Sequence, residues 1–214
     1  MDFLQYIRYS RPQQYVVDNF QRPLLLFEQS DITDFDIWHT VEDAPDATFL
    51  TVSRAAANRV NNVIARAFQN KTPLSTIPLE NDVNDFPPFR DMHVVVTQNL
   101  DKPTGVVNSQ LATIQNSQNN TLLLKFPNGK TTFTYPVATI TEDGRSRVHY
   151  ALNPAYCMTI CKTQGANIKK LIVWFDCPTV PSGMGYVALS RVHKSEDIKI
   201  LTPIVADQLT PALT

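Results

Sequence analysis

Three short stretches between residues 159 and 191 decide the fold: TICKTQG at 159–165, LIVWF at 171–175 and YVALSR at 186–191. The middle one is an unbroken apolar run bounded by Asp176 and Pro178, as suits a parallel strand covered on both faces. The first reads as a polar turn in which Gly165 supplies a backbone angle closed to other residues. Tyr186–Arg191 has a helical pattern, and Ile198–Leu201 reads as a last strand. Strand, helix and strand in succession are the mark of an α/β sheet.

The same pattern lies upstream. Ala47–Val52 (ATFLTV) reads as a strand, Ser53 as a helix N-cap, and the helix runs to about Phe68. Val60, Val63, Ile64, Ala67 and Phe68 form its apolar stripe, which leaves Arg59 and Arg66 on a solvated face. Residues 2–20 read as two short helical segments broken at Arg11-Pro12, and 23–46 as irregular and acidic. Pro73, Pro78, Pro87 and Pro88 mark a connecting loop, and Met92–Thr97 a strand. From 111 onward, short β-like runs alternate with turns, including the hairpin dipeptides Asn128-Gly129 and Asp143-Gly144. The expected architecture is an α/β domain of 47–110 and 156–214. A small antiparallel β barrel at 111–155 interrupts it, and a helical and irregular segment at 1–46 precedes it.

Composition narrows the function. Hydrophobic residues make up 43% and charged residues 18%, and the net charge is −1, so any nucleic-acid groove must come from local placement of Lys and Arg. Cys157, Cys161 and Cys177 have no zinc spacing and read as free, buried thiols of an intracellular protein. His39, His93, His149 and His193 are scattered, so no metal site is expected. No apolar run reaches membrane-spanning length. Two stretches imitate phosphate chemistry. Gly129-Lys130-Thr131 ends like a P-loop, but Leu124 stands where the first glycine belongs and the flanks are β-like, so a hairpin turn is expected. Leu171–Asp176 imitates the strand whose terminal Asp holds magnesium; without a P-loop before it, a core strand is expected.

Taken together and in this order, 159–165 and 186–191 resemble motifs V and VI of superfamily 1 DNA helicases, most closely the RecD/Pif branch that includes Helitron-type helicases. The branch pattern is T-I-H-K-[ST]-Q-G followed by Y-V-A-L-S-R. Cys161 stands where the family has His. Val95–Lys102 with Gly105–Asn108 is similar to the strand and loop entering the insert of the family's second RecA-like domain, with Asn108-Ser109 in place of Asn-Gly. Phe49–Asn61 resembles motif IV, and Phe3–Ser10 the segment after motif III. The likeness covers about residues 1–201.

The resemblance implies the second RecA-like lobe of an ATP-dependent 5′ to 3′ helicase, in settings such as DNA repair and recombination. Its partners are single-stranded DNA and an N-terminal P-loop lobe in the same or a partner chain. That lobe holds most of ATP and Mg2+, so this chain is not expected to turn over ATP alone. Arg191 is the implied finger for the transferring phosphoryl group, with Arg54 a second candidate, and Gln164, Gly165 and Tyr186 join Arg191 in facing the nucleotide. Thr159, Lys162, Thr163, Gln164 and Gly165, with Thr97 and Asn99, are the implied DNA contacts. The family implies a nuclear setting in a eukaryote. The competing reading is an inactive helicase remnant that binds nucleic acid or protein.

Overall fold

The computed structural model describes residues 3–68, 74, 88–100, 106–140, 143–163 and 167–212. The chain divides into two compact units, Met1–Val63 with Cys157–Thr214, and Ile64–Tyr156.

The first unit is built on a parallel sheet. β1 (Thr48–Thr51) is central; the first unit's other strands, numbered in chain order after those of the second unit, are β9 (Cys157–Thr159), β10 (Leu171–Trp174) and β11 (Ile198–Ile200). Their order is β11-β10-β1-β9, and every pairing is parallel. Every residue of β10 is buried, as the apolar run required. A turn at Leu24–Phe27 lengthens the sheet beyond β11: the Leu26 N–H donates to Ile200 O at 2.8 Å, and the Ile200 N–H to Leu24 O at 2.9 Å. The helices are α1 (Phe3–Tyr9), α2 (Gln14–Gln21), α3 (Asp34–Asp43), α4 (Arg54–Ala67) and α5 (Met184–Leu189). The core gathers Ile7, Val17, Leu50, Val173, Leu189 and Ile200. This is a mixed α/β lobe of the RecA-like kind, as expected. No helix among the described residues is long and apolar enough to cross a membrane.

Local chemistry accounts for these elements. Ser53 caps α4, its Oγ accepting the Ala56 N–H at 3.0 Å. Phe3 of α1 stacks on Phe20 of α2 at 3.8 Å between centroids. Gln21 is buried, and its amide both donates to Ile204 O (3.3 Å) and accepts from Ile204 N–H (2.6 Å). That pairing fastens the N-terminal helices to the C-terminal segment. The segment 23–46 is not wholly irregular: α3 occupies it, held by a capping box in which Thr33 and Asp36 satisfy each other. Arg59, its side chain 40% exposed, is nonetheless held by its neighbours. It donates to Asp34 Oδ1 at 2.9 Å and Ile32 O at 2.6 Å, and lies 5.9 Å from the Trp174 ring.

Gly185 on α5 exists for close approach. A Cβ there would stand 2.6 Å from Leu209 Cδ2 and 2.9 Å from the Gln208 carbonyl oxygen. Leu209 can move aside, but the backbone oxygen cannot do so without displacing the turn Ala206–Leu209. Gly185→Ala is therefore expected to destabilise by about 2 kcal/mol, the usual cost of overpacking, read as a lowered urea midpoint at unchanged slope.

The second unit is antiparallel. It comprises β2 (His93–Val96), β3 (Leu111–Gln118), β4 (Thr121–Lys125), β5 (Thr131–Thr134), β6 (Pro136–Ile140), β7 (Ser146–Tyr150) and β8 (Leu152–Pro154). Five strands run in the order β5-β4-β3-β2-β8, and β6 and β7 form a separate two-stranded ribbon. Asn119 and Asn120, both at positive φ (48° and 60°), turn β3 into β4. The P-loop imitation at Gly129 is the β4–β5 hairpin: Gly129 has φ 82°, the Phe126 N–H donates to Lys130 O at 2.9 Å, and Asn128 Oδ1 accepts the Lys130 N–H at 3.0 Å. Ser109 has φ 69°, in the left-handed region that glycine adopts most readily. Pro73, Pro78, Pro87 and residues 101–105 lie outside the described residues.

Candidate nucleotide and nucleic-acid site

Parallel strands deliver their following loops to one edge of a sheet, and ligands of open α/β sheets bind there. In the first unit that edge carries the ends of β1, β9 and β10. Thr51 and Thr159 are register partners at the ends of β1 and β9. Beyond β1 come Val52, Ser53 and then Arg54, the exposed first residue of α4. A cation at a helix N-terminus is disfavoured by the local dipole, so nothing in the helix's own energetics calls for Arg54.

Beyond β10, Asp176 Oδ1 accepts the N–H groups of Val52 (2.7 Å) and Ser53 (3.1 Å). This carboxylate ties the β10 end to the β1 end. That contact explains the second phosphate imitation: Asp176 closes the sheet edge internally.

Beyond β9, the chain makes a 3-10 turn at Ile160–Thr163. Ile160 is buried, while Cys161 and Lys162 are exposed. Thr163 is buried, and its hydroxyl donates to Ile160 O at 2.8 Å. The hydroxyl expected to reach a DNA phosphate is thus engaged within the turn, and the Thr163 carbonyl accepts from Arg191 Nη1 at 3.3 Å. Thr159 is also buried. Lys162 has no carboxylate partner among the described residues and is the free cation of this turn. Gln164 and Gly165 lie outside the described residues. The cysteines differ from the expectation of uniformly buried thiols. Cys157 is buried, and burial pushes its thiol up to about 12; Cys161 is exposed.

β9 is an edge strand, so its outer backbone groups need partners. Asn61 of α4 supplies them: its Nδ2 donates to Cys157 O at 3.0 Å, and its Oδ1 accepts the Cys157 N–H at 2.9 Å. A buried side-chain amide thus stands in for a neighbouring strand and fixes the strand that leads into the Lys162 turn. Asn61 was visible in the sequence as the asparagine of the first helix; its partner was not.

The Lys162 turn packs against α5. Arg191 follows that helix and is half-buried. Its Nε donates to Val187 O at 2.8 Å, its Nη1 to Thr163 O at 3.3 Å and its Nη2 to Ser190 Oγ at 2.9 Å. All three acceptors are neutral, and among the described residues no carboxylate pairs with it. A guanidinium held this way is fixed in direction while its charge stays uncompensated, which is what a group stabilising an oxyanion needs. Tyr186 opens the same helical turn. Arg191 and Thr163 are therefore brought together, with Tyr186 on the adjoining helix. Arg54 and Thr159 share the same sheet edge.

Thr97 and Asn99 belong to the second unit. The half-buried Thr97 donates its N–H to Ala151 O at 2.9 Å, and the exposed Asn99 accepts the Asn108 N–H through Oδ1 at 3.0 Å.

A parallel sheet with helices packed on it, polar loops at its strand ends and an antiparallel sheet in the same chain define a RecA-like α/β fold with an antiparallel unit. The fold is similar to that of solved Pif1 helicases. A Bacteroides Pif1 bound to single-stranded DNA matches with TM-score 0.66 and 19% identity, over 97% of this chain and 49% of that one. The Pif1 helicase of Candida albicans matches with TM-score 0.68 and 18% identity, over 98% and 54%. A Bacteroides Pif1 in complex with ADP-AlF3 and single-stranded DNA matches with TM-score 0.57 and 19% identity, over 95% and 52%. The chain spans about half the length of the solved chains it matches. No protein-family model matches the chain, and no curated protein matches it.

Proposed function

We propose that this chain is the second RecA-like lobe, residues 47–110 and 156–214 with the insert 111–155, of an ATP-dependent 5′ to 3′ DNA helicase. One observation carries the proposal: Arg191 is aimed by three neutral acceptors and, among the described residues, has no carboxylate to quench it. A fixed, unneutralised guanidinium fits the charge that builds on a leaving phosphoryl group. Asp176 accepts backbone amides at the sheet edge. In this reading the P-loop and the Mg2+ carboxylates belong to a facing lobe, in the same or a partner chain. Arg54 is the second cation of this edge.

In the same proposal the chain grips single-stranded DNA. Lys162 supplies charge to a phosphate, and Gln164 and Gly165 supply donors and close backbone approach. Thr159 and Thr163 shape the turn, while Thr97 and Asn99 contribute from the second unit. Closure of the two lobes on ATP and opening after hydrolysis step the grip along the strand. The solved Pif1 proteins bound to single-stranded DNA and to a nucleotide analogue support this reading.

The test is ATP turnover with and without single-stranded DNA, by the chain alone and by the complete polypeptide or complex that contains it in its source cells. The expected result is no turnover by the chain alone and DNA-stimulated turnover by the complete assembly. Turnover by the chain alone, or DNA binding by the complete assembly with no turnover, would overturn it.

A further inference from the structure

We propose that Arg8 is a positioning residue for Arg191, acting through the ring of Tyr186. The inference rests on reading Arg191 as the cation that stabilises the transferring phosphoryl group. Arg8 lies in the last turn of α1, is exposed, and has no carboxylate partner among the described residues. Its Cζ sits 5.2 Å from the centroid of the Tyr9 ring and 5.6 Å from that of the Tyr186 ring, both within cation–π range. Tyr186 belongs to α5, so this contact joins α1 to the helix that leads into Arg191.

The contact matters because α5 has little stability of its own. It has six residues and starts at Gly183 with no side-chain cap. A helix that short takes its direction from packing. Ala188 and Leu189 hold its inner side in the core, and Gly185 lets it press on the Ala206–Leu209 turn. On the outer side, Tyr186 meets Arg8. α1 can serve as the anchor because Ile7 is 1% exposed and Phe3 is stacked on Phe20.

From Tyr186 the coupling to the guanidinium is short. The Tyr186 carbonyl accepts the Ser190 N–H at 2.9 Å, and Ser190 Oγ accepts Arg191 Nη2 at 2.9 Å. The next carbonyl, that of Val187, accepts both Ser190 Oγ–H (3.2 Å) and Arg191 Nε (2.8 Å). A tilt of the Tyr186 turn therefore moves two of the three acceptors that aim Arg191.

The plain alternative is that Arg8 only places a positive charge at the C-terminal end of α1, where any cation is favourable. Lysine would serve that purpose equally. A planar guanidinium lying against aromatic rings is not replaced by a compact ammonium, so Arg8→Lys separates the two readings.

The experiment measures DNA-stimulated ATP turnover by the complete assembly, with melting temperature followed for every variant. Arg8→Ala is expected to lower kcat about tenfold with KM within about twofold, the signature of a misplaced catalytic group. Arg8→Lys should stay close to the alanine variant. Tyr186→Leu should lower kcat as well, and the double variant should be no slower than Tyr186→Leu alone, since both break one contact. Restoration of turnover by Arg8→Lys, or losses that add in the double variant, would overturn the inference. Arg191→Ala is run alongside. If Arg191→Ala abolishes turnover while Arg8→Ala turns over normally, the Arg8 inference fails alone; if Arg191→Ala turns over normally, the reading beneath it fails too.

Discussion

Replacing Arg191 by alanine is expected to lower DNA-stimulated ATP turnover about a thousandfold while leaving KM for ATP nearly unchanged. A thousandfold is the low end of what arginine fingers supply in phosphoryl transfer. The low end is the right choice because Arg191 here is held by neutral acceptors on its own lobe, and part of its donor capacity stays with them. The split between kcat and KM follows from timing. Charge on the phosphoryl oxygens peaks in the transition state, so a group aimed at it contributes there and little to ground-state binding. Arg191→Lys should fare little better. An ammonium cannot span Val187 O, Thr163 O and Ser190 Oγ while presenting a forked donor edge to phosphate. Removing three hydrogen bonds also costs some stability, so binding of single-stranded DNA serves as the control for folding. A variant that binds DNA normally and hydrolyses ATP at the wild-type rate would remove Arg191 from the reaction.

What could be read from residues alone followed the range of the interactions involved. Elements decided by near neighbours were legible: the buried run Leu171–Trp174, the strand and Ser53-capped helix after Thr48, and the Asn128-Gly129 hairpin that imitates a P-loop. α3 was not, because its acidic and aromatic residues hide a small buried face of Ile37, Thr40 and Val41, of which only two are apolar. The signal that could have found it is the Thr33 to Asp36 spacing of a capping box, which is local. Missing α3 also misplaced Arg59, whose carboxylate partner Asp34 lies on that helix. The Asp176 carboxylate shows the same limit. Its amide partners Val52 and Ser53 are more than a hundred residues away in sequence, so an Asp ending an apolar strand could be read only by exclusion. Likewise nothing in spacing tells that Arg191 reaches the carbonyl of Thr163, 28 positions back. The two stretches were joined by resemblance before geometry joined them.

Asn61→Leu is expected to destabilise the first unit by about 4 kcal/mol and to weaken binding of single-stranded DNA beyond what that loss explains. The buried Asn61 amide satisfies both outer backbone groups of Cys157, at 3.0 Å and 2.9 Å. Leucine fills much the same volume but offers neither donor nor acceptor. An N–H and a C=O would then be left unpaired at a buried edge, at about 1–3 kcal/mol each. Asn61→Asp is the sharper variant. Its carboxylate could still accept the Cys157 N–H but would face the Cys157 carbonyl with no donor, so a loss at least as large is expected at neutral pH, easing as the pH falls and the carboxyl gains a proton. The sign follows from burial, which favours the neutral acid, and only the protonated acid can donate to that carbonyl. The effect on DNA arises because β9 runs directly into the turn that presents Lys162. An edge strand without its side-chain partner slackens at Cys157 and lets that turn drift. Chemical denaturation read by circular dichroism gives the first quantity, and fluorescence anisotropy with labelled single-stranded DNA, at temperatures where the variant is fully folded, gives the second. Normal DNA affinity in a folded, destabilised Asn61→Leu variant would confine Asn61 to stability and detach the Lys162 turn from the DNA grip.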